Sequence, residues 1–332
     1  MPDWQLKAPL TVNWTLNTSC NFACQHCYSR TETEPDLPVE LICAALEKVA
    51  RWGVLAVNFG GGEPLLRPEL VQISRAAAQS GLRVSLNTNG YLLDQQVAAQ
   101  LADAGVHKVG VSIDSHQSQI HDNFRGIPGS FNRAVAAVGY LQAAGIRTSL
   151  STVICRINHG HAQELLAFAR GLGVEQINFH NFKCSGLGYA NRDDLDLSPV
   201  EWRVFYREAL SLQHTADGPA ISFDDPIIAS LGLKSESSLV KGSICGKLSL
   251  AVKSNGDITP CGFIPTVIGN VVNDNLAIIW NDSTVLHALR NKKATGKCGG
   301  CDHYAECLGG CSARALAMTG DINSPDPHCW EE

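Results

Sequence analysis

The strongest constraint on the fold of this 332-residue chain is a repeated alternation of short apolar runs with helical patterns. Leu10–Asn17, Leu55–Phe59, Arg83–Asn87, Lys108–Ile113, Thr148–Ile154 and Gln176–Phe182 are rich in Val, Ile, Leu and Thr. Their lengths suit strands buried on both faces. Helical patterns fall between them near 39–52, 68–80, 94–104, 131–144 and 161–171. A further helix starts at Ser198-Pro199, where serine caps and proline suits the first turn. Repeated strand–helix units predict a parallel sheet with right-handed crossovers. Six units are too few for an eight-stranded barrel. The expected fold class is therefore α/β, a partial (β/α)6 TIM-like barrel open on one side. Chemistry in such folds collects at the C-terminal ends of the strands.

Ten of the 13 cysteines sit in two tight sets. Cys20, Cys24 and Cys27 follow the first strand with the spacing Cys-x3-Cys-x2-Cys, and Tyr28 comes next. Three thiolates leave one iron of a four-iron cubane without a protein ligand, and an open iron can bind a small molecule through nitrogen and oxygen. The competing readings are chance and a structural zinc loop, for which His26 is a poor fourth ligand. The second set comprises Cys245, Cys261, Cys298, Cys301, Cys307, Cys311 and Cys329. A zinc ribbon explains four of these and leaves three unpaired. Cys43, Cys155 and Cys184 lie apart.

Met1-Pro2-Asp3-Trp4 has neither the basic nor the apolar region of a signal peptide. No charge-free apolar run approaches the ~20 residues that span a bilayer. The expected location is cytoplasmic, where so many cysteines argue for metal rather than disulfides. A net charge of −6 gives no sign of a nucleic-acid or membrane surface.

The Cys20–Tyr28 segment resembles the cluster loop of the radical S-adenosylmethionine (SAM) superfamily. The C-terminal third resembles the SPASM extension, which carries auxiliary clusters, and the two resemblances cover nearly the whole chain. They imply SAM and three [4Fe-4S] clusters as cofactors. They also imply a barrel over 9–190, a bridging helical segment over 191–240 and a SPASM domain over 241–332. By the SPASM pattern, Cys298, Cys301, Cys307 and Cys329 hold the distal cluster. Cys245, Cys261 and Cys311 hold the proximal one, which is one ligand short because Gly246–Ala251 has no cysteine.

The same resemblance assigns SAM contacts. Gly61, Gly62 and Glu63, in the glycine turn after the second strand, match the segment that holds the methionyl ammonium. Asn89, Ser112 and Asp114, at the next two strand ends, match positions beside the SAM ribose and carboxylate, although ordinary turns favour such residues too. Arg125 matches an arginine whose guanidinium pairs with the SAM carboxylate. Its competing reading is a solvated loop arginine. Tyr28 is implied to shield the cluster near the adenine.

The implied reaction is reductive cleavage of SAM to a 5′-deoxyadenosyl radical that abstracts hydrogen from a substrate, with flavodoxin or ferredoxin as electron donor. Gly262 follows Cys261 where sulfatase-maturing relatives have an acid, which disfavours that branch. Val12-Asn13-Trp14 and the segment from Val57 to Pro64 most resemble mycofactocin-type peptide maturases. The expected substrate is therefore a peptide. With the first cysteine only 20 residues in, no peptide-recognition domain is expected ahead of the barrel, so a separate recognition protein is implied. His26–Ser29 and Glu63–Pro68 also resemble enzymes that modify haem precursors, which makes a small-molecule tetrapyrrole the alternative substrate. A reading from another class is a non-catalytic electron carrier or redox sensor, but a carrier has no use for an open iron beside such a glycine turn. Cys184, just past the sixth strand, is expected to point toward the barrel mouth. It is a buried apolar cysteine, a fourth ligand of the proximal cluster, or a catalytic thiol that returns a hydrogen atom to a substrate radical.

Overall fold

A computed structural model describes residues 6–29, 34–213, 218–231 and 241–332. All six expected strands form: β1 (Thr11–Thr15), β2 (Ala56–Gly60), β3 (Arg83–Thr88), β4 (Val106–Ser112), β5 (Arg147–Ile154) and β6 (Gln176–Asn181). Each runs parallel to the next. The crossovers contain α1 (Val39–Trp52), α2 (Leu70–Gln79), α3 (Gln95–Asp103), α4 (Ser118–Arg125), α5 (Ser130–Ala143) and α6 (Ala162–Gly171). Local chemistry fixes several boundaries. Asp94 caps α3 by accepting from the Val97 N–H. Ser198 and Glu201 form a reciprocal capping box at the start of Pro199–Ser211, as the Ser-Pro pair predicted.

Strands β1 to β3 are not buried on both faces, whereas β5 is buried at five positions in a row from Thr148 to Thr152. Val12, Trp14, Val57, Phe59, Val84 and Leu86 lie in the main core at 2% exposure or less. The alternate positions carry polar side chains. Asn58 donates to Asn13 Oδ1 at 3.2 Å and accepts from Ser85 at 3.0 Å. One face thus packs on helices, while the other carries a polar ladder across neighbouring strands.

The sheet also continues past six strands. Among the described residues it has ten, in the order β10-β9-β8-β1-β2-β3-β4-β5-β6-β7. The additions are β7 (Ala220–Phe223), β8 (Ser249–Val252), β9 (Asp257–Thr259) and β10 (Gly269–Asn270). β7 pairs parallel with β6, and β8 parallel with β1. The stretch over 191–240 is accordingly not wholly helical, because it supplies β7. Its residues 214–217 and 232–240, and the chain start from Met1 to Gln5, lie outside the described residues. No helix among the described residues is long and apolar enough to cross a membrane.

Candidate active site

The cysteine loop leaves the C-terminal end of β1 and is clasped from two sides. From β2, the Gly62 N–H donates to the Asn17 carbonyl at 2.9 Å and the Glu63 N–H to that of Ser19 at 2.8 Å. A Cβ on Gly61 would sit 2.4 Å from the Asn17 oxygen, and one on Gly62 2.1 Å from that of Ser19. Gly61 also has a φ of +136°. These glycines are required by backbone packed against backbone. From the end of β6, the Leu187 N–H donates to the Cys27 carbonyl at 2.8 Å. A Cβ on Gly186 would lie 2.4 Å from the Tyr28 oxygen.

Each sulfur on the loop has a polar neighbour. The Phe22 N–H donates to Cys20 Sγ at 3.4 Å, the Ser29 hydroxyl lies 3.8 Å from Cys27 Sγ, and Arg125 Nη1 donates to Cys24 Sγ at 3.9 Å. Burial pushes the Cys24 thiol up to about 11 and raises that of Cys20. Binding a cluster therefore releases protons from this loop. His26 stacks on Phe124 at 4.5 Å, and burial together with Arg125 drives it down to about 3.

Of the other expected SAM contacts, Glu63, Asn89, Asp114 and Arg125 are buried around this loop. Glu63 is 1% exposed. Its carboxylate accepts from Thr88 Oγ1 at 2.7 Å, the Asn89 N–H at 2.8 Å and the Leu65 N–H at 3.1 Å. Burial still raises its pKa against these bonds. Three acceptor positions of about four are thereby engaged. Asn89 Nδ2 reaches back to Asn21 Oδ1 on the cysteine loop at 2.8 Å. Arg125 is no solvated loop residue: it ends α4, 7% exposed, and donates through Nε to Asp114 Oδ2 at 2.6 Å. Asp114 is fully buried and accepts from the Val153 N–H at 2.9 Å. Burial works to raise its carboxyl, but Arg125 outweighs that and holds it below the ordinary range. Ser112 is half-buried at the end of β4.

Beside the loop, a cavity of about 310 Å³ opens between the barrel and the strands β8 and β9. Thr15, Tyr28, Ser185, Lys253, Gly262 and Phe263 are among its lining residues. The Tyr28 and Phe263 rings meet at 4.8 Å. Lys253 pairs with Glu34 at 3.1 Å.

The C-terminal cysteines gather in two places. Cys298, Cys301, Cys307 and Cys329 line one cavity. Elsewhere, a hydrogen bond from Cys261 draws the Cys245 thiol down to about 7, and both interact electrostatically with Cys311. Among the described residues, no three His, Cys, Asp or Glu side chains converge as ligands of a single metal ion. A cubane does not ask for that, since its ligands sit on different irons. The residues at all three places therefore fit iron–sulfur clusters by donor type and grouping.

Residues 14–169 match the Radical SAM superfamily, and residues 245–302 match the SPASM iron–sulfur cluster-binding domain. The AdoMet-dependent heme synthase of Methanosarcina barkeri is 31% identical over 97% of both chains. This chain belongs to the radical SAM superfamily and carries a SPASM domain. It is therefore an enzyme of the kind that binds SAM and iron–sulfur clusters. The mycofactocin maturase MftC of Mycolicibacterium smegmatis is 29% identical over 98% of this chain and 84% of that protein. Among solved structures, Streptococcus suis SuiB bound to S-adenosylmethionine superposes with a TM-score of 0.82 at 17% identity, covering 98% of this chain and 78% of SuiB.

Within this radical SAM fold, Cys184 is held in the interior just past β6. It is 3% exposed and donates its S–H to Asp196 Oδ2 at 3.3 Å, which pushes the thiol, with burial, up to about 12. Asp196 in turn holds His328 at 2.9 Å. The carboxylate captures the thiol because a buried acceptor needs a donor.

Sequence reasoning missed a buried ion network that reaches from the C-terminal region to Asp225. Arg314, with a fully buried side chain, donates to Asp225 at 2.9 and 3.0 Å and to Asp326 at 2.5 and 2.7 Å. Asp225 also accepts from Tyr206 at 2.8 Å, and Asp326 from the Cys311 N–H at 2.7 Å. The available signal was an arginine in the otherwise small and apolar helix Ser312–Thr319.

Proposed function

We propose that this enzyme uses SAM, held against a [4Fe-4S] cluster on Cys20, Cys24 and Cys27, to abstract hydrogen from a peptide undergoing maturation. The observation that carries this reading is the cysteine loop clasped by glycine turns at one end of a cavity that SPASM strands wall off. Bound SAM and a reduced cluster supply a 5′-deoxyadenosyl radical. The chain's own residues do the positioning. Gly61, Gly62 and Glu63 present the methionyl end, Asn89, Ser112 and Asp114 frame the ribose and carboxylate, and Arg125, held by Asp114 beside Cys24, pairs with that carboxylate. Tyr28 screens the cluster from the cavity.

Two auxiliary clusters complete the proposal, a distal one on Cys298, Cys301, Cys307 and Cys329 and a proximal one on Cys245, Cys261 and Cys311. The proposed units are the barrel over 9–190, the bridge over 191–240 and the SPASM domain over 241–332. Flavodoxin or ferredoxin supplies the electron, and a separate protein presents the peptide. The peptide reading is supported by the maturase relatives, which match over 98% of this chain. A second reading, modification of a haem or tetrapyrrole precursor, is favoured by the 31% identity to a heme synthase.

The deciding experiment is anaerobic. Reconstituted protein with dithionite and SAM should form 5′-deoxyadenosine, and its absence would overturn the enzymatic reading. Candidate peptides and haem-type tetrapyrrole precursors then compete as substrates. The class that stimulates 5′-deoxyadenosine formation and changes mass is the substrate.

A further inference from the structure

Lys183 lies two residues beyond β6 and turns toward the SPASM cysteines. Its ammonium donates to Asn181 Oδ1 and lies 5.5 Å from the centre of the Phe263 ring. The backbone N–H of Phe263 donates to Cys261 Sγ at 3.3 Å, so the ring under Lys183 belongs to the turn that bears that sulfur. Lys183 is also the leading cationic influence on Cys311 and acts on Cys245. This ammonium therefore acts on Cys245 and Cys311 and lies over the ring of the turn that carries Cys261.

Other cations flank the set, with Lys247 acting on Cys245 and Lys292 on Cys311, but Lys183 leads at Cys311. Arg314 also acts on Cys311, but its guanidinium is occupied by the carboxylates of Asp225 and Asp326. Asp224 faces Lys183 and is itself shared with His180 at 3.4 Å. Removal of Lys183 would take away the leading cationic influence on Cys311.

We propose that Lys183 is a positioning residue that sets the reduction potential of the proximal cluster. A thiolate-bound cubane is anionic, and reduction adds a further negative charge. A fixed ammonium in a poorly solvated site favours the more negative state, because Coulomb attraction is weakly screened there. This inference rests on the proposed cluster at Cys245, Cys261 and Cys311, but not on SAM cleavage.

The test is a redox titration of the full chain, reconstituted with iron and sulfide in the Cys20/Cys24/Cys27→Ala background, so that only the auxiliary clusters report. Lys183→Met should lower the reduced-to-oxidised ratio of one wave about tenfold at fixed potential, which is about 59 mV for one electron. The other wave, from the distal cluster, should stay in place, and Lys183→Arg should restore the first. A first wave unmoved in Lys183→Met, with iron content intact, would overturn the proposal. Should Lys183→Met lose the proximal irons, retention of them by Lys183→Arg at wild-type potential supports the role of charge. Loss in both variants overturns it. Failure of the underlying cluster assignment reads differently, as about four irons instead of eight before Lys183 is touched.

Discussion

The two ends of this molecule use the same two devices, close backbone approach and buried charge, in different proportion. The mouth adds one buried pair, Arg125 with Asp114, to its glycine turns. There the loop with Cys20, Cys24 and Cys27 is fixed chiefly by main chain lying on main chain, at places where no Cβ fits. In the SPASM region the corresponding work falls chiefly to buried charge, with Arg314 pinned between Asp225 and Asp326 and Asp326 pinning the Cys311 N–H. Backbone packing leaves the ligand side of a loop free of competing side chains, which suits a site that must admit a small molecule. A buried ion network depends on every partner being present, which suits a site that stays closed. The contrast separates a loop built to receive from a region built to retain.

The sharpest way to break this comparison is to remove Cys20, Cys24 and Cys27 together. Iron should fall by about a third from about twelve, and 5′-deoxyadenosine formation should vanish. Retained cleavage of SAM would refute the assignment of the loop. Gly62→Ala tests whether backbone contact is what shapes the mouth. A methyl group 2.1 Å from the Ser19 oxygen must displace the loop, so SAM cleavage should drop ~100-fold while the auxiliary irons stay. Activity at the wild-type level would mean that the loop yields without consequence.

Arg314→Leu should do the reverse. It strands two buried carboxylates, with a cost of about 3–5 kcal/mol, so thermal stability and auxiliary iron should both decline before the first cluster is affected. Equal loss from all three sites would erase the distinction. Glu63→Gln is expected to weaken SAM binding about tenfold with iron unchanged, as calorimetry with SAM can check. An unchanged affinity would reduce Glu63 to a brace between Thr88 and Asn89. Cys184→Ala should have the smallest effect. Its bond to Asp196 is worth ~1 kcal/mol, and cluster spectra and product formation should match wild type. Intact SAM cleavage with lost product would instead make Cys184 a hydrogen donor.

Much of this was legible before any coordinates. The six barrel strands stood out as short apolar runs, the first five each with an α-helix of eight residues or more before the next strand. The cysteine triplet and the glycine turn were legible because cluster ligation and close backbone approach each demand a particular residue type. What escaped detection was short or non-local. β8, β9 and β10 have four, three and two residues, too few for any periodicity to register. α4 hid because only His121, Phe124 and Arg125 of its eight residues are buried. Asp225 and Arg314 are 89 residues apart, and no spacing rule links two lone charges over that distance.

The pairing of β8 with β1 has a consequence for how the chain is made. The first strand leaves the ribosome early, yet its second neighbour is encoded more than 230 residues later, at Ser249–Val252. Until that neighbour arrives, one side of Thr11–Thr15 presents unpaired N–H and C=O groups, a ready template for another nascent chain. A protein truncated before residue 249 should therefore aggregate even though all six of its barrel units are complete.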